Sequence, residues 1–463
     1  MHYWDRLEAF EQLRNEALQG RRSVNAALLR AHVRNQPTMR IYYGPPGTGK
    51  TLAAVRDAIA HADPGWAPSD PQKAPEQSFE HFWELGDRLE FVTFSPGDQY
   101  ETVVEAIRPH LEVNDDPSTD QDRVGATGNH AVRSLGYHYW VGPVLRLIRR
   151  ATEHPQEEHV LVIDEINRAD ISQVMGPLIA AIEADKRLGG PFPIPFNVRY
   201  DREASKEWIP ANLHVVATMN SADRNLALVD IALRRRFEFV RVNTEDALVP
   251  SSTTDDVDRL NPRLLLRALN ERIAQLLGED FEIGHSYLMS ASTSSEVIQV
   301  MATKILPLLE EYFYGDDTAL LLVVGEHPDD QVAPDRIFDL ITNEPEALGR
   351  IFGEPAAQAA NAHIAGTAGS SPYRRRLRRD FWDTRAQPPG PGDLTSAVKA
   401  LRKIYRDLKP GADEGASEGA APTNSPSRLA GEGDHVEEGG DANSSTVDRP
   451  SLTSAGSVSP DTQ

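Results

Sequence analysis

The sequence has no cysteine, which removes disulfide scaffolds, thiolate zinc sites and cysteine nucleophiles and fits a reducing compartment. No run reaches the ~18 uninterrupted apolar residues of a membrane-spanning helix, and charge stands at the N-terminus where a secretory signal would be apolar. Positive charge is scarce: 48 Lys and Arg face 70 Asp and Glu, a net charge of −22. Such a chain repels phosphate backbones and anionic lipid, so any nucleic-acid contact is expected to be local or supplied by a partner. Large apolar side chains are nearly missing from residues 411–463, which hold ten acidic and two basic residues among Gly, Ala, Ser and Pro. A segment of that makeup cannot bury enough surface to fold. A solvated, disordered acidic tail is the plain expectation, and a partner-binding or autoinhibitory tail the alternative. The remainder reads as a soluble, cytoplasmic protein that does not touch a membrane, long enough for two or three structural units.

What is present is a repeating alternation. Between residues 38 and 243 short apolar runs alternate with helical patterns, the mark of a parallel sheet with crossover helices. Strands are expected at 39–43, 89–94, 159–163, 213–219 and 237–242. Past residue 243 the period turns helical, with helices expected at 261–277, 294–312 and 335–341 and a small all-α unit over 244–352. Residues 353–410 read as a C-terminal extension with a basic patch, closed by an amphipathic helix at 395–408. Residues 1–37 read as an N-terminal helical segment. There is no internal repeat.

Between the first strand and the next helix stand Gly44, Pro45, Pro46, Gly47, Thr48, Gly49, Lys50 and Thr51, the pattern G-x-x-x-x-G-K-[ST]. Its glycines let backbone N–H groups curl round a β-phosphate, Lys50 reaches the β- and γ-phosphates, and Thr51 can ligate Mg²⁺. The run HVLVIDE ends in Asp164 and Glu165, where strand ends face phosphates. Asp164 is expected to hold Mg²⁺ and Glu165 to polarise the attacking water. A third strand, LHVVATM, ends at Asn220, an amide placed to contact the γ-phosphate or the lytic water. Then come Arg234, Arg235 and Arg236 before the fifth strand. Three arginines exceed what a helix C-terminus needs for capping, so Arg235 or Arg236 is expected to act on a neighbouring subunit's nucleotide.

These residues resemble a known family, the AAA+ NTPases of the McrB type, motor subunits of modification-dependent restriction systems. The resemblance is carried by YYGPPGTGKT, FVTFSPGDQYETVVEAIRP, GPVLRLIRRA, VLVIDEINRADISQVMGPLIAAIEADKR, VVATMNSADRNLALVDIALRRRFEFV, IGHSYLM and LLEEYFYGD, spread over residues 42–316. It implies an α/β AAA+ domain over 38–243 with hairpin insertions near 112–138 and 188–210 lining a ring pore, followed by an α-helical lid. It implies hydrolysis of ATP or GTP with Mg²⁺, sensing by Asn220, and a neighbour-subunit role for Asp223 and Arg224. It also implies a homo-oligomeric, hexameric ring working in phage defence with a nuclease-bearing McrC-like subunit.

Two departures bear on function. Too few residues precede the first strand for the DNA-reading domain such motors carry, and the IGHSY segment has no arginine where many AAA+ lids place a sensor. His285 is the residue that could substitute, against a purely structural role. The segment 373–382 offers five arginines beside three aromatics, the composition of a base-stacking element. DNA contact is therefore expected only through this patch or a partner; a solvated helix face or a subunit contact is the bland alternative. A MoxR-like chaperone remodelling a protein client shares every one of these catalytic residues and stands as the competing function.

Overall fold

In chain order the strands and principal helices are β1 (Met39–Gly44), α1 (Lys50–Ala62), α2 (Ala74–Glu84), β2 (Leu89–Thr93), β3 (Glu105–Val113), β4 (Arg133–Val141), α3 (Pro143–Glu153), β5 (His159–Asp164), β6 (Phe196–Asn197), β7 (Lys206–Glu207), β8 (Leu213–Asn220) and β9 (Glu238–Arg241). The computed structural model describes residues 36–113, 133–199, 206–223, 234–327, 335–342, 373–386, 389–408 and a few isolated positions between 350 and 359. The expected N-terminal segment, all but its last two residues, and the acidic tail lie outside the described residues.

Five strands form one parallel sheet in the order β2, β5, β8, β1, β9. Strands β5 and β8 are interior and covered on both faces, which is why their sequences are unbroken apolar runs. Leu161, Ile163, Val215 and Ala217 point into one layer with Val144, Leu145 and Ile148 of α3. Val160, Val162 and Val216 point the other way, against Ala54, Val55, Ala58 and Ile59 of α1 and Phe82 of α2. The period of two thus divides between two cores.

Both insertions are hairpins, though the first is longer at its base than the sequence suggests. Strands β3 and β4 pair from Glu105 and Val141 out to Val113 and Arg133; the tip lies outside the described residues. The second is the small pair β6 and β7, closed by a bridge between Leu188 and Pro210. The buried Glu105 ties the two together, accepting from Tyr100 Oη at 2.9 Å, Tyr139 Oη at 3.1 Å and the backbone N–H of Arg199 at 2.6 Å.

Beyond the sheet the chain is helical: α4 (Pro262–Leu277), α5 (Ser294–Val300), a π-helical stretch (Met301–Ile305), α6 (Leu306–Tyr312) and α7 (Asp317–Val323). Asn261 caps α4, its side chain accepting from Leu264 N at 2.9 Å, with Pro262 in the first turn. Leu265, Leu269, Ile298, Leu309, Leu320 and Leu321 build a separate core. A final helix, α8 (Leu394–Tyr405), adds Ala397, Val398 and Leu401 to it.

One expected element is of the wrong type. The helix expected over 335–341 is a strand, β10 (Phe338–Thr342), antiparallel to β11 (Tyr373–Leu377). Apolar residues at 337, 338, 340 and 341 fit a helical spacing, but pairing with a segment more than thirty residues away overrides that local pattern. The first half of the basic patch is consequently a strand rather than a helix face, and three of the patch's arginines are engaged. Arg375 bonds Asp317 and stands 3.4 Å from Glu310; Arg376 is 3.4 Å from Asp339; Arg378 is 2.9 Å from Asp380. Among the described residues no helix is long and apolar enough to cross a membrane.

Candidate nucleotide site

The carboxyl ends of β1, β8 and β5 lie side by side, and the sequence motifs stand there. Gly49 takes φ 82° before α1, a left-handed turn that a side chain would resist. Lys50 Nζ donates to Pro45 O at 2.6 Å and stands 3.4 Å from Asn220 Oδ1; Thr48 Oγ1 closes the loop onto Pro45 O at 2.9 Å. Thr51 Oγ1 donates to Asp164 Oδ1 at 3.1 Å. Burial pulls the Lys50 ammonium below its ordinary value, opposed by the carboxylates of Glu165, Asp164 and Asp223.

Glu165 follows β5 in the left-handed region, φ 55°, a conformation costing of order 1–3 kcal/mol in a residue with a side chain. Its amide is held by Thr218 Oγ1 at 3.0 Å, and the same hydroxyl donates to Asp164 Oδ1 at 2.6 Å. One threonine on β8 therefore orients both acidic residues. Burial raises the Glu165 carboxyl above its ordinary value, with Arg168 pulling the other way and Asp164 and Asp223 adding to the rise. A carboxylate shifted upward is a better proton acceptor near neutral pH.

Two residues join this cluster that the sequence reading did not single out besides Thr218. Arg168 stands 3.5 Å from Glu165 and 3.8 Å from Asp223, and Asn167 Nδ2 donates to Asn220 O at 3.2 Å. Asn220 Nδ2 in turn reaches Asp223 Oδ2 at 3.4 Å. A polar Thr inside an apolar strand and an Arg three residues past Glu165 were the available signals. Arg224 lies outside the described residues.

Arg235 and Arg236 are at the other end of the sheet. Strand β9 pairs with β1 so that Glu238 faces Arg40, which sets Arg236 level with Thr38, about six residues or ~20 Å below Gly44 at strand spacing. They cannot serve this chain's own P-loop. The pair is unequal: Arg236 binds Glu183 at 2.7 Å and is 10% exposed, whereas Arg235 is 3.7 Å from the same carboxylate and 69% exposed.

His285 is buried, its Nδ1 accepts from Glu245 N at 3.2 Å, and burial lowers its pKa.

Residues 83–237 match the AAA domain (dynein-related subfamily), and residues 261–320 match the alpha-helical lid domain of McrB. The chain carries an AAA domain followed by a McrB-type lid. The McrB-type lid is the α4-to-α7 unit and the AAA domain is the sheet that precedes it. Among curated proteins, the EcoKMcrB subunit of the type IV methyl-directed restriction enzyme of Escherichia coli K12 is 30% identical over 293 residues, covering 60% of this chain and 54% of that one. Component YdiS of the type II restriction enzyme BsuMI of Bacillus subtilis 168 is 24% identical over 224 residues, 46% of this chain and 59% of that one. The chain thus spans little more than half the length of these McrB-type and restriction relatives. A solved structure of a putative ATPase from Cytophaga hutchinsonii aligns over 63% of this chain and 62% of that one at 12% identity and a TM-score of 0.24, a likeness too low to carry any inference.

Proposed function

We propose that this chain hydrolyses a nucleoside triphosphate, ATP or GTP, with Mg²⁺, and that it is the ring-forming motor subunit of a restriction system, working beside a nuclease-bearing McrC-like partner. The observation that carries the reading is the convergence of Lys50, Thr51, Asp164, Glu165 and Asn220 on the ends of three adjacent strands. In this reading the P-loop amides and Lys50 hold the β- and γ-phosphates, Glu165 accepts a proton from the attacking water, and Asn220 orients that water or the γ-phosphate. The oxygens of Thr51 and Asp164 suit Mg²⁺, which prefers one or two protein oxygens plus phosphate and water; bound there, it would neutralise charge on the phosphates. The exposed Arg235 is the better candidate for reaching a neighbour's nucleotide, since Arg236 is held by Glu183. Asp223 and Arg224 would face the same junction.

The two curated relatives are by name a subunit and a component of restriction enzymes, which supports a multi-subunit system and lends nothing to the chaperone alternative. In this reading DNA contact falls to a partner, because Arg375 and Arg376 of β11 stand against carboxylates.

Substitution separates the roles. Lys50→Ala should abolish binding of a labelled triphosphate analogue, and Glu165→Gln should bind normally yet cease turnover. Equal loss of binding in both variants would overturn the assignments.

A further inference from the structure

The lid meets the P-loop main chain to main chain. Gly284 N donates to Pro46 O at 3.0 Å and Ser286 N to Gly47 O at 3.1 Å. Neither side has room for a methyl group. A Cβ on Gly284 would stand 2.1 Å from the carbonyl carbon of Gly47 and 2.5 Å from Pro46 O, and one on Gly47 would stand 2.7 Å from Ser286 Oγ and 2.9 Å from the Tyr287 ring.

This lid segment is itself braced. The buried Asn270 of α4 receives Ile283 N at 2.7 Å and donates to Ile283 O at 2.9 Å, and His285 is fixed to the backbone of Glu245. The P-loop therefore leans on a rigid shelf of the lid. A trans peptide is planar, with its C=O and N–H pointing in opposite directions. A lid that grips the carbonyls of Pro46 and Gly47 consequently turns the N–H groups of Gly47 and Thr48 the other way, and a phosphate cradle is built from successive N–H groups aimed at one point.

We propose that Gly284 and Ser286 are positioning residues for the nucleotide phosphates, aiming the amides of Gly47 and Thr48 through their hydrogen bonds to the Pro46 and Gly47 carbonyls. The lid main chain then does what a lid arginine side chain does elsewhere, by shaping the cradle rather than touching the phosphate. The inference rests on the nucleotide reading above. Linkage makes it reciprocal: if the closed latch tightens nucleotide binding by some factor, bound nucleotide must favour the closed latch over the open one by the same factor.

Gly284→Ala tests it. Gly284 sits at φ −69°, ψ 154°, which alanine adopts freely, so the substitution acts only by prising the lid from Gly47. Expected is at least tenfold weaker binding of a non-hydrolysable ATP or GTP analogue, with kcat at saturating nucleotide within threefold of the unaltered chain. Gly97→Ala, where a Cβ meets nothing within 4 Å, serves as the neutral control. In the unaltered chain the analogue should slow hydrogen exchange of the Gly284 and Ser286 amides at least tenfold, a measurement that survives if the variant fails to fold. A folded Gly284→Ala chain with normal affinity, or amides whose exchange ignores the analogue, would overturn the latch alone. An unaltered chain that binds neither analogue would overturn the nucleotide reading itself.

Discussion

The two arginine runs of this chain look alike on paper and have opposite fates. Arg234, Arg235 and Arg236 stand at the start of β9, where one carboxylate, Glu183, satisfies Arg236 and leaves Arg235 largely in solvent. The run 374–379 spans β11 and the turn after it, where Glu310, Asp317, Asp339 and Asp380 arrive from α6, α7, β10 and that turn to meet Arg375, Arg376 and Arg378. An exposed ion pair such as Arg376 with Asp339 contributes little stability and the more enclosed Arg375 with Asp317 more, but both occupy guanidinium donors that a phosphate would need. Whether an arginine is available is thus decided by carboxylates distant in sequence, which composition does not reveal.

Substituting each run in turn should separate them, and the largest effect belongs at Arg235. Its Ala variant should keep nucleotide affinity and lose turnover by about 10³-fold or more, the scale of an arginine that stabilises a transferring phosphate. Mixed with Glu165→Gln protein it should regain activity, because a mixed ring contains interfaces where base and arginine are both intact. A rate that stays at zero at every mixing ratio, with subunit exchange confirmed, would refute the assignment. Next in size is Arg375→Ala, which leaves Asp317 and Glu310 without their partner. The cost should be on the order of 1–3 kcal/mol, read as a drop of several degrees in melting temperature, with turnover per folded chain unchanged. The smallest effect is expected at Arg376, exposed and 3.4 Å from Asp339. Arg376→Ala should leave both stability and retention of duplex DNA as they were. A loss of DNA affinity with a shallower salt dependence would restore β11 as a phosphate-tracking surface.

The sheet was legible because buried parallel strands leave unbroken apolar runs, and the P-loop because its glycines and lysine are adjacent in sequence. The acidic pair was legible from its place at a strand end. What joins them was not: Thr218 serves Asp164 and Glu165 from more than fifty residues away, and Gly284 and Ser286 reach the P-loop from more than two hundred. The misread helix at 335–341 has the same cause, since its partner strand lies beyond any local window. Local period describes elements; hydrogen bonds between distant segments decide what those elements become.

Strands β1 and β9 run parallel and adjacent, with the phosphate cradle following one and the arginines preceding the other. That polarity restricts the symmetry of any assembly built on this site. Two chains related by a two-fold axis present the same patch to each other, so the arginine end of each meets the P-loop end of the other only where both ends share one self-complementary surface. Where the two ends lie on different faces, contact between them is heterologous and leaves an unsatisfied end on each side. Such a contact must either close on itself by rotation or continue without limit as a filament, and the rotation between neighbours sets that choice.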